Sequence, residues 1–185
     1  MEIRSAKLLD AAAIAEVHVA SWRAAYRGLM PESVLAQLDP RARQRMWEGA
    51  LASPQSDLWV AASPVAGFCH LIASPGDAQG ESPREGEVTA MYLRRELWQQ
   101  GIGRRLMQAV LHRARERGYE TLHLWVLRDN ARARGFYEAM GFRPDGREQI
   151  DTSLIGSPLS ELCYERVVPA RGGSEPGAEP RWAAG

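Results

Sequence analysis

Lysine is nearly absent from this 185-residue chain: Lys7 is the only one, and all its other basic side chains of that class, 23 with Lys7, are arginines. A P-loop needs a Gly-Lys-Ser/Thr step to hold its phosphates, so nucleotide triphosphate hydrolysis of that kind is excluded. Cysteine is scarce as well. Cys69 and Cys163 stand in apolar, strand-like contexts and have no close cysteine or histidine pairing that would make a metal site. That excludes a clustered metal site and leaves an acyl-cysteine route with no base to make the thiolate. Both read as small core residues. No apolar run approaches the length of a membrane span, and Glu2 to Lys7 alternates charged and apolar residues with no signal-like stretch. A cytoplasmic protein without a membrane partner is the expectation. Excess charge of either sign is missing too: 23 basic against 23 acidic residues argue against a nucleic-acid-binding protein driven by bulk electrostatics.

The composition that remains, 45% apolar and 25% charged, is that of one folded domain long enough to bury a sizeable core. Glu2 to Lys7 reads as an edge strand, and Asp10 as the cap of an alanine-rich helix that runs to about Tyr26 and is broken at Leu29-Met30-Pro31. Helices are expected over 33–38 and 41–51, then a hairpin of strands 58–62 and 65–73 joined by a Ser-Pro turn. Residues 74–86, rich in Gly, Pro, Ser and charge, read as an exposed loop, and 87–93 as the next strand. Ile102, Leu106, Val110 and Ala114 line one face of a helix that closes at Gly118, ahead of a strand from Thr121. Strands at 147–154 and 161–167 end the sheet in antiparallel fashion. From Pro169 onward there is no apolar period, so 1–168 is expected to be the domain and 169–185 a flexible tail.

Two glycine-bearing segments carry the chemistry. In the first, Met91-Tyr92-Leu93 leads through Trp98-Gln99-Gln100-Gly101-Ile102-Gly103-Arg104 into a helix. The first turn of a helix presents free N–H groups and the positive end of its dipole, so a phosphate chain can sit there. Gly101 and Gly103 lack Cβ atoms and permit close approach and unusual dihedral angles. A strand-to-helix turn with no ligand has the same spelling. A dinucleotide fingerprint is unlike this one, because Leu106 stands where its third glycine belongs. The second segment is Asn130-Ala131-Arg132-Ala133-Arg134-Gly135-Phe136-Tyr137-Glu138-Ala139-Met140-Gly141-Phe142. Asn130 suits a helix N-cap and Gly141 a left-handed C′ residue, which places Ala133, Phe136, Tyr137 and Met140 on one face. From Arg94 to Arg134 there are ten arginines against four acids, so the basic part of the chain coincides with these segments.

In this order and at this separation the two segments resemble the GNAT superfamily of N-acetyltransferases. The family writes the first as Gln/Arg-x-x-Gly-x-Gly/Ala and the second as Asn-x-x-Ala-x-x-Phe-Tyr-x-x-x-Gly-Phe. The second is matched at every fixed position; the first departs at Trp98, where Gln or Arg is expected. The resemblance spans residues 2 to 168 and implies an α/β (α+β) fold, a central, mixed, mostly antiparallel twisted sheet flanked by helices. It implies acetyl-coenzyme A as donor, coenzyme A as product and no metal. The implied activity is transfer of acetyl to a primary amine of a small molecule or peptide by direct attack in a ternary complex. Dimers are common in the family, so a homodimer stays open. A non-catalytic acyl-coenzyme A-binding module, acting as a sensor or partner-binding domain, is the alternative; Tyr137 and Glu87 together favour the enzyme.

Site residues follow from the same resemblance. Main-chain groups of Met91, Tyr92 and Leu93 would pair with a pantetheine arm as an added strand does. Gln99, Gln100, Gly101, Ile102, Gly103 and Arg104 would hold the pyrophosphate. Asn130 would contact the cofactor, cap its helix, or both. Tyr137 matches the tyrosine that faces the sulfur. With a phenol near about 10 and a thiol near about 8.5, donation of a hydrogen bond describes its role better than full proton transfer. Glu87 matches a strand position from which some members supply a base, directly or through water, although a strand-end glutamate is also an ordinary solvated charge. The phrase from His18 to Pro31 is similar to a recurrent opening of bacterial members whose acceptor is unassigned, making Trp22 and Tyr26 candidates for the acceptor side. Both also suit packing of the first helix. A pocket built from Trp22, Tyr26, Trp47, Trp125 and residues 150–163 offers no acid cluster that predicts a polycation, and no histidine is given a catalytic role.

Overall fold

Seven strands pair into one sheet whose two faces are covered by different helices. The computed structural model describes residues 1–28, 30–62, 64–74, 84–151 and 158–169. The strands are β1 (Glu2–Ser5), β2 (Ser56–Ala62), β3 (Gly67–Ala73), β4 (Glu85–Leu93), β5 (Thr121–Leu127), β6 (Arg143–Asp151) and β7 (Leu159–Val167). They lie in the order β1-β2-β3-β4-β5-β7-β6, and every neighbouring pair is antiparallel except β4 with β5. This is the mixed, mostly antiparallel α/β sheet the motifs imply. The helices are α1 (Ala11–Ala25), α2 (Glu32–Ala36), α3 (Pro40–Ala52), α4 (Ile102–Arg117) and α5 (Ala131–Ala139).

Period-two alternation along the strands sorts the core into two layers. On one face Leu58, Val60, Phe68 and Ala90 meet Ile14 and Val17 of α1 and Trp47 of α3. On the other, Cys69, Leu71, Val88 and Leu122 meet Leu106, Met107, Val110 and Ala114 of α4. Each large side chain so buried contributes about 1.5–3 kcal/mol, more than any exposed ion pair, so these layers set the position of the helices. The expected stripe of α4 is the buried one, and Gly118 ends that helix at a φ of 79°.

The short helix α5 is fixed at both ends. Asn130 Oδ1 accepts the Ala133 N–H at 3.1 Å. At the other end Gly141 has a φ of 85°. The Phe142 N–H reaches the Tyr137 carbonyl and the Gly141 N–H the Glu138 carbonyl, both at 3.0 Å. This is a Schellman closure, and its usual apolar contact is made by the rings of Phe142 and Tyr137, 6.0 Å apart. The orientation of Tyr137 therefore depends on a glycine four residues downstream.

Several boundaries differ from those read in the sequence. Asp10 does not bond the first N–H groups of α1. Its carboxylate accepts the Lys7 N–H at 2.7 Å and two bonds from Arg4 at 2.7 and 2.9 Å, closing a 3-10 turn that precedes the helix. β3 starts at Gly67 rather than Val65, which belongs to the turn. β4 starts at Glu85, because its pairing with β5 begins there. β6 starts at Arg143, four residues early, directly after the Gly141 turn; as an almost fully exposed edge strand it has no apolar alternation to reveal it. Leu29, Ser63, the body of the 74–86 loop, residues 152–154 of the expected strand and the tail from residue 170 lie outside the described residues.

Two irregularities in the sheet shape its central opening. His70 pairs with Ala90 while Leu71 pairs with Val88, so Thr89 bulges out of β4. The parallel pairing of β4 with β5 spans only Glu85–Glu87 against Thr121–His123. Beyond it the strands part. We expect Gly141→Ala to cost about 1–2 kcal/mol, since a Cβ is disfavoured in the left-handed region, while its nearest neighbours, atoms of Arg166, would lie at ordinary contact distance. Thermal unfolding should show a midpoint lower by about 2–8 °C, with a smaller loss for Gly141→Asn.

Candidate active site

The parting of β4 from β5 leaves one edge of β4 without a neighbour. The Arg94 N–H bonds the Ala66 carbonyl on the β3 side at 2.8 Å. In an antiparallel ladder successive residues alternate direction, so the main-chain groups of Leu93 and Met91 face the opening and those of Tyr92 face β3. The Leu93 carbonyl already accepts the Trp98 indole N–H at 2.8 Å. Tyr92, half-buried, lines the opening instead with its side chain.

Along that edge runs a cavity of about 610 Å³, lined by Met91, Leu93, Gln99, Gly101 and Gly103 on one side and Phe136 and Tyr137 of α5 on the other. Gly101 and Gln99 sit at φ values of 75° and 60°, turning the chain into α4. The first bond of the helix runs from the Arg105 N–H to the Gly101 carbonyl at 3.1 Å, so the N–H groups of Ile102, Gly103 and Arg104 have no acceptor within it. A Cβ on Gly103 would stand 3.4 Å from Met91 and Phe136, so that glycine lets α4 close on β4 and α5. Gln100 bonds the Glu96 carbonyl and stays exposed, and Ile102 is buried; neither side chain enters the cavity. Arg95, Arg104 and Arg132 all line it. Trp98, at the departure from the family spelling, carries the Arg132 guanidinium 3.3 Å over its ring. Unpaired N–H groups beside three guanidinium groups fit a pyrophosphate, and an open strand edge fits an amide-bearing arm.

A second cavity of about 500 Å³ lies on the α1 and α3 side and shares with the first Met91–Leu93, Trp98, Arg132, Ala133 and Tyr137. Trp22, Tyr26, Trp47, Trp125 and Asn130 line it. So do Glu87, Asp151 and Glu161, three carboxylates that the strand order β4-β5-β7-β6 collects from distant places in the chain. The sequence shows no such cluster because these acids are never neighbours along it. Burial pushes the Glu161 carboxyl up, with Asp151 and Glu87 adding to the effect and the Gln149 amide, 2.8 Å away, opposing it. Burial likewise raises Glu87; His123 opposes and Glu85 reinforces.

Residues 17–142 match the family described as the Acetyltransferase (GNAT) family. The chain belongs to the GNAT acetyltransferases. It is 29% identical over 160 residues to the uncharacterized N-acetyltransferase YuaI of Bacillus subtilis, covering 86% of this chain and 89% of that protein. It is also 29% identical over 170 residues to the probable N-acetyltransferase Rv2775 of Mycobacterium tuberculosis, covering 89% and 92%. In fold it is similar to the PaiA N-acetyltransferase of Thermoplasma acidophilum, solved in complex with coenzyme A, with a TM-score of 0.72, 21% identity and coverage of 90% and 98%. The protein is thus an acetyl-coenzyme A-dependent acyltransferase.

In this GNAT acetyltransferase Tyr137 stands where the two cavities meet. Its half-buried ring packs on Phe136 and Phe142, and burial, with Cys69 and Tyr92 nearby, holds the phenol far above its ordinary value. A protonated phenol so placed can donate its hydrogen bond to the cavity junction. Three histidines without an assigned role in the sequence reading also belong to this region. His18 Nδ1 accepts the Trp47 indole N–H at 3.2 Å, and its ring stacks on Tyr92 with centroids 4.9 Å apart. His70 lies between two hydroxyls, and His123 lies behind Glu87, with Nε2 3.8 Å from its carboxylate. The signal for His18 is its spacing from Trp22 on one face of α1; nothing local announces the other two.

Burial pulls His18 down to about 3 and His70 to about 4, against 6.5 for a free imidazole. As pH falls the unfolded chain takes up these protons first, so the stability held by the two neutral rings is present above about 6.5 and lost below it, down to the folded values. We expect about 2 kcal/mol lost per ring at about pH 5, read from denaturant unfolding at pH 7 and pH 5. In His70→Asn the difference between the two pH values should shrink.

Proposed function

We propose that this GNAT acetyltransferase transfers acetyl to a primary amine by direct attack, with donor and acceptor bound together. The observation that carries the reading is the junction of two cavities at Tyr137 and the open edge of β4. Acetyl-coenzyme A, when bound, supplies an activated thioester carbonyl. The Gly101 turn, with Arg95, Arg104 and Arg132, would hold its phosphates, and the main chain of Met91 the pantetheine arm; the coenzyme A complex of the Thermoplasma relative supports this. No residue here needs to carry the acetyl group covalently.

Three carboxylates in the second cavity complement a cationic amine rather than an anionic acceptor. An ammonium must lose a proton before its nitrogen can attack. Glu87, whose carboxyl burial raises from its ordinary value, suits that task, directly or through a water. Tyr137 donates a hydrogen bond to charge developing on the sulfur as the C–S bond breaks. Trp22, Tyr26 and Tyr92 form the wall that shapes the acceptor, and Asn130 positions Tyr137 by capping α5. We assign residues 1–168 to the catalytic domain and 169–185 to a tail, and place the protein in the cytoplasm. No described helix is long and apolar enough to cross a membrane.

Thermal unfolding with acetyl-coenzyme A, coenzyme A, NADH or ATP tests the donor site. Ligand at about one hundred times its dissociation constant adds roughly 2.7 kcal/mol, a shift of several degrees. We expect it for the first two compounds alone, and its absence at saturation would sink the reading. With an amine that is turned over, Tyr137→Phe should lower kcat about a hundredfold and keep the acetyl-coenzyme A shift. A kcat unchanged in that variant would remove Tyr137 from the chemistry.

A further inference from the structure

We propose that the acceptor is an amine that also carries a carboxylate, an amino acid held in the second cavity by both of its charges, an inference that rests on the acetyl-transfer reading above. The lining of that cavity is divided by charge. Strands supply the acids, Glu87 from β4, Asp151 from β6 and Glu161 from β7. Helices supply hydrogen-bond donors, His18 and Trp22 from α1 and Arg43 from α3. The two sets are not spent on each other. Among the described residues no carboxylate lies within ion-pair distance of Arg43, whose guanidinium bonds only the Met46 sulfur, at 3.8 Å, and stands over the Trp22 ring, 5.3 Å from its centre.

His18 is held in one orientation by its neighbours. Trp47 donates to its Nδ1, so the proton of the neutral ring is on Nε2, and the ring, 5% exposed, is stacked on Tyr92. That Nε2–H has no acceptor among the described residues. One turn further along α1 the indole N–H of Trp22, 4% exposed, has the Tyr92 phenol near it but no aligned acceptor. A buried donor without an acceptor costs stability, so two of them on one helix face, both lining a cavity, mark where an oxygen-bearing group is received. Burial, and after it the charge of Arg43, keeps His18 neutral, so the ring adds a donor beside the guanidinium without adding a second cation. Burial raises the Tyr92 phenol, while Arg43 lowers it and Glu161 raises it further, which puts Tyr92 within reach of both poles. A diamine would bring its second ammonium against Arg43, and an uncharged amine would leave the guanidinium and the His18 N–H unused. A carboxylate takes both.

The two ends of such an acceptor have different places. The ammonium goes to the acids, on the side of Glu87, and the carboxylate to Arg43 and His18. Trp22, Tyr26, Trp47 and Trp125 make much of the remaining wall aromatic, which suits an apolar side chain better than a charged one. Transfer forms the N–C bond and breaks the C–S bond. Of the two protons the ammonium gives up, one ends on the sulfur of coenzyme A and one in solvent, and the carboxylate is unchanged. The product is an N-acetyl amino acid whose one charge is negative, so the acids that attracted the ammonium no longer hold it.

Thiol release from acetyl-coenzyme A tests the assignment, with phenylalanine, methionine, leucine and tryptophan each measured beside its amide, and with benzylamine, spermidine and kanamycin as amines that lack a carboxylate. At least one amino acid should be turned over, with a kcat/KM about tenfold or more above that of its amide, which cannot pair with Arg43. Arg43→Gln should raise the KM for that amino acid about ten- to a hundredfold, more than it lowers kcat, and bring acid and amide to the same level. A role of Arg43 in packing alone would leave the ratio of acid to amide where it was. His18→Phe, which keeps a ring against Tyr92, should lower the same ratio by a smaller factor, and both variants should keep the acetyl-coenzyme A thermal shift. A panel in which no amino acid reacts, amides used as well as acids, or a ratio unchanged in folded Arg43→Gln protein overturns the proposal. Turnover of benzylamine, spermidine or kanamycin in place of the amino acids would leave the acetyl-transfer reading standing, whereas no turnover of any amine and no acetyl-coenzyme A thermal shift would remove that reading as well.

Discussion

The structure depends on a pairing that stops after three residues. The ladder between β4 and β5 spans Glu85–Glu87 and Thr121–His123 alone, and beside it Val88, Leu122 and Leu124 pack in one core layer with α4. A longer ladder would satisfy the main chain of Met91 and Leu93 within the sheet and leave no edge for a ligand. A shorter one would leave the sheet in two pieces. What keeps the strands apart beyond His123 is the filling of the opening by side chains from both sides. Trp98 satisfies the Leu93 carbonyl, and Tyr137, held by the cap and closure of α5, stands against β4. The cleft is thus part of the folded state: Trp98 takes up the Leu93 carbonyl, while the main chain of Met91 and the first N–H groups of α4 face the opening.

The parting also explains why two chemically different cavities meet. On the α4 side the exposed groups are helix N–H donors and arginines, a setting for phosphate. On the α1 side they are carboxylates and aromatic rings. Sheet faces segregate these by the alternation of side chains, and only at the open edge can both sides reach the same point. Tyr137 occupies that point because α5 begins immediately after β5 and returns across the gap. Trp98 departs from the family spelling, yet its ring carries Arg132, so a cation still stands beside the Gly101 turn, though it comes from α5.

Much of the fold is legible in the sequence because it is local. The stripe of α4, the Asn130 cap and the Gly141 closure are written within a few turns of chain, and the structure places them there. The acid cluster is not, since Glu87, Asp151 and Glu161 come together only through the exchange of order between β6 and β7. His70 and His123 are equally silent: a histidine in a strand looks the same whether it faces a hydroxyl, a carboxylate or a hydrophobic layer. The bulge at Thr89 has no glycine to announce it. The start of β6 is hidden for a different reason, because an exposed edge strand carries no alternation to read. Asp10 misleads because its carboxylate has a better partner in Arg4 than in the helix behind it.

The two cysteines lie on opposite sides of the opening, Cys69 on β3 and Cys163 on β7, each with no exposed surface and each with a thiol that burial pushes up to about 12. Neither reacts until its own part of the sheet comes apart. Since a ladder of three residue pairs and the core layer under α4 join the two halves, the order in which the thiols become modifiable records which half of the molecule opens first, and a single rate for both means that ladder and core layer together make the sheet one cooperative unit.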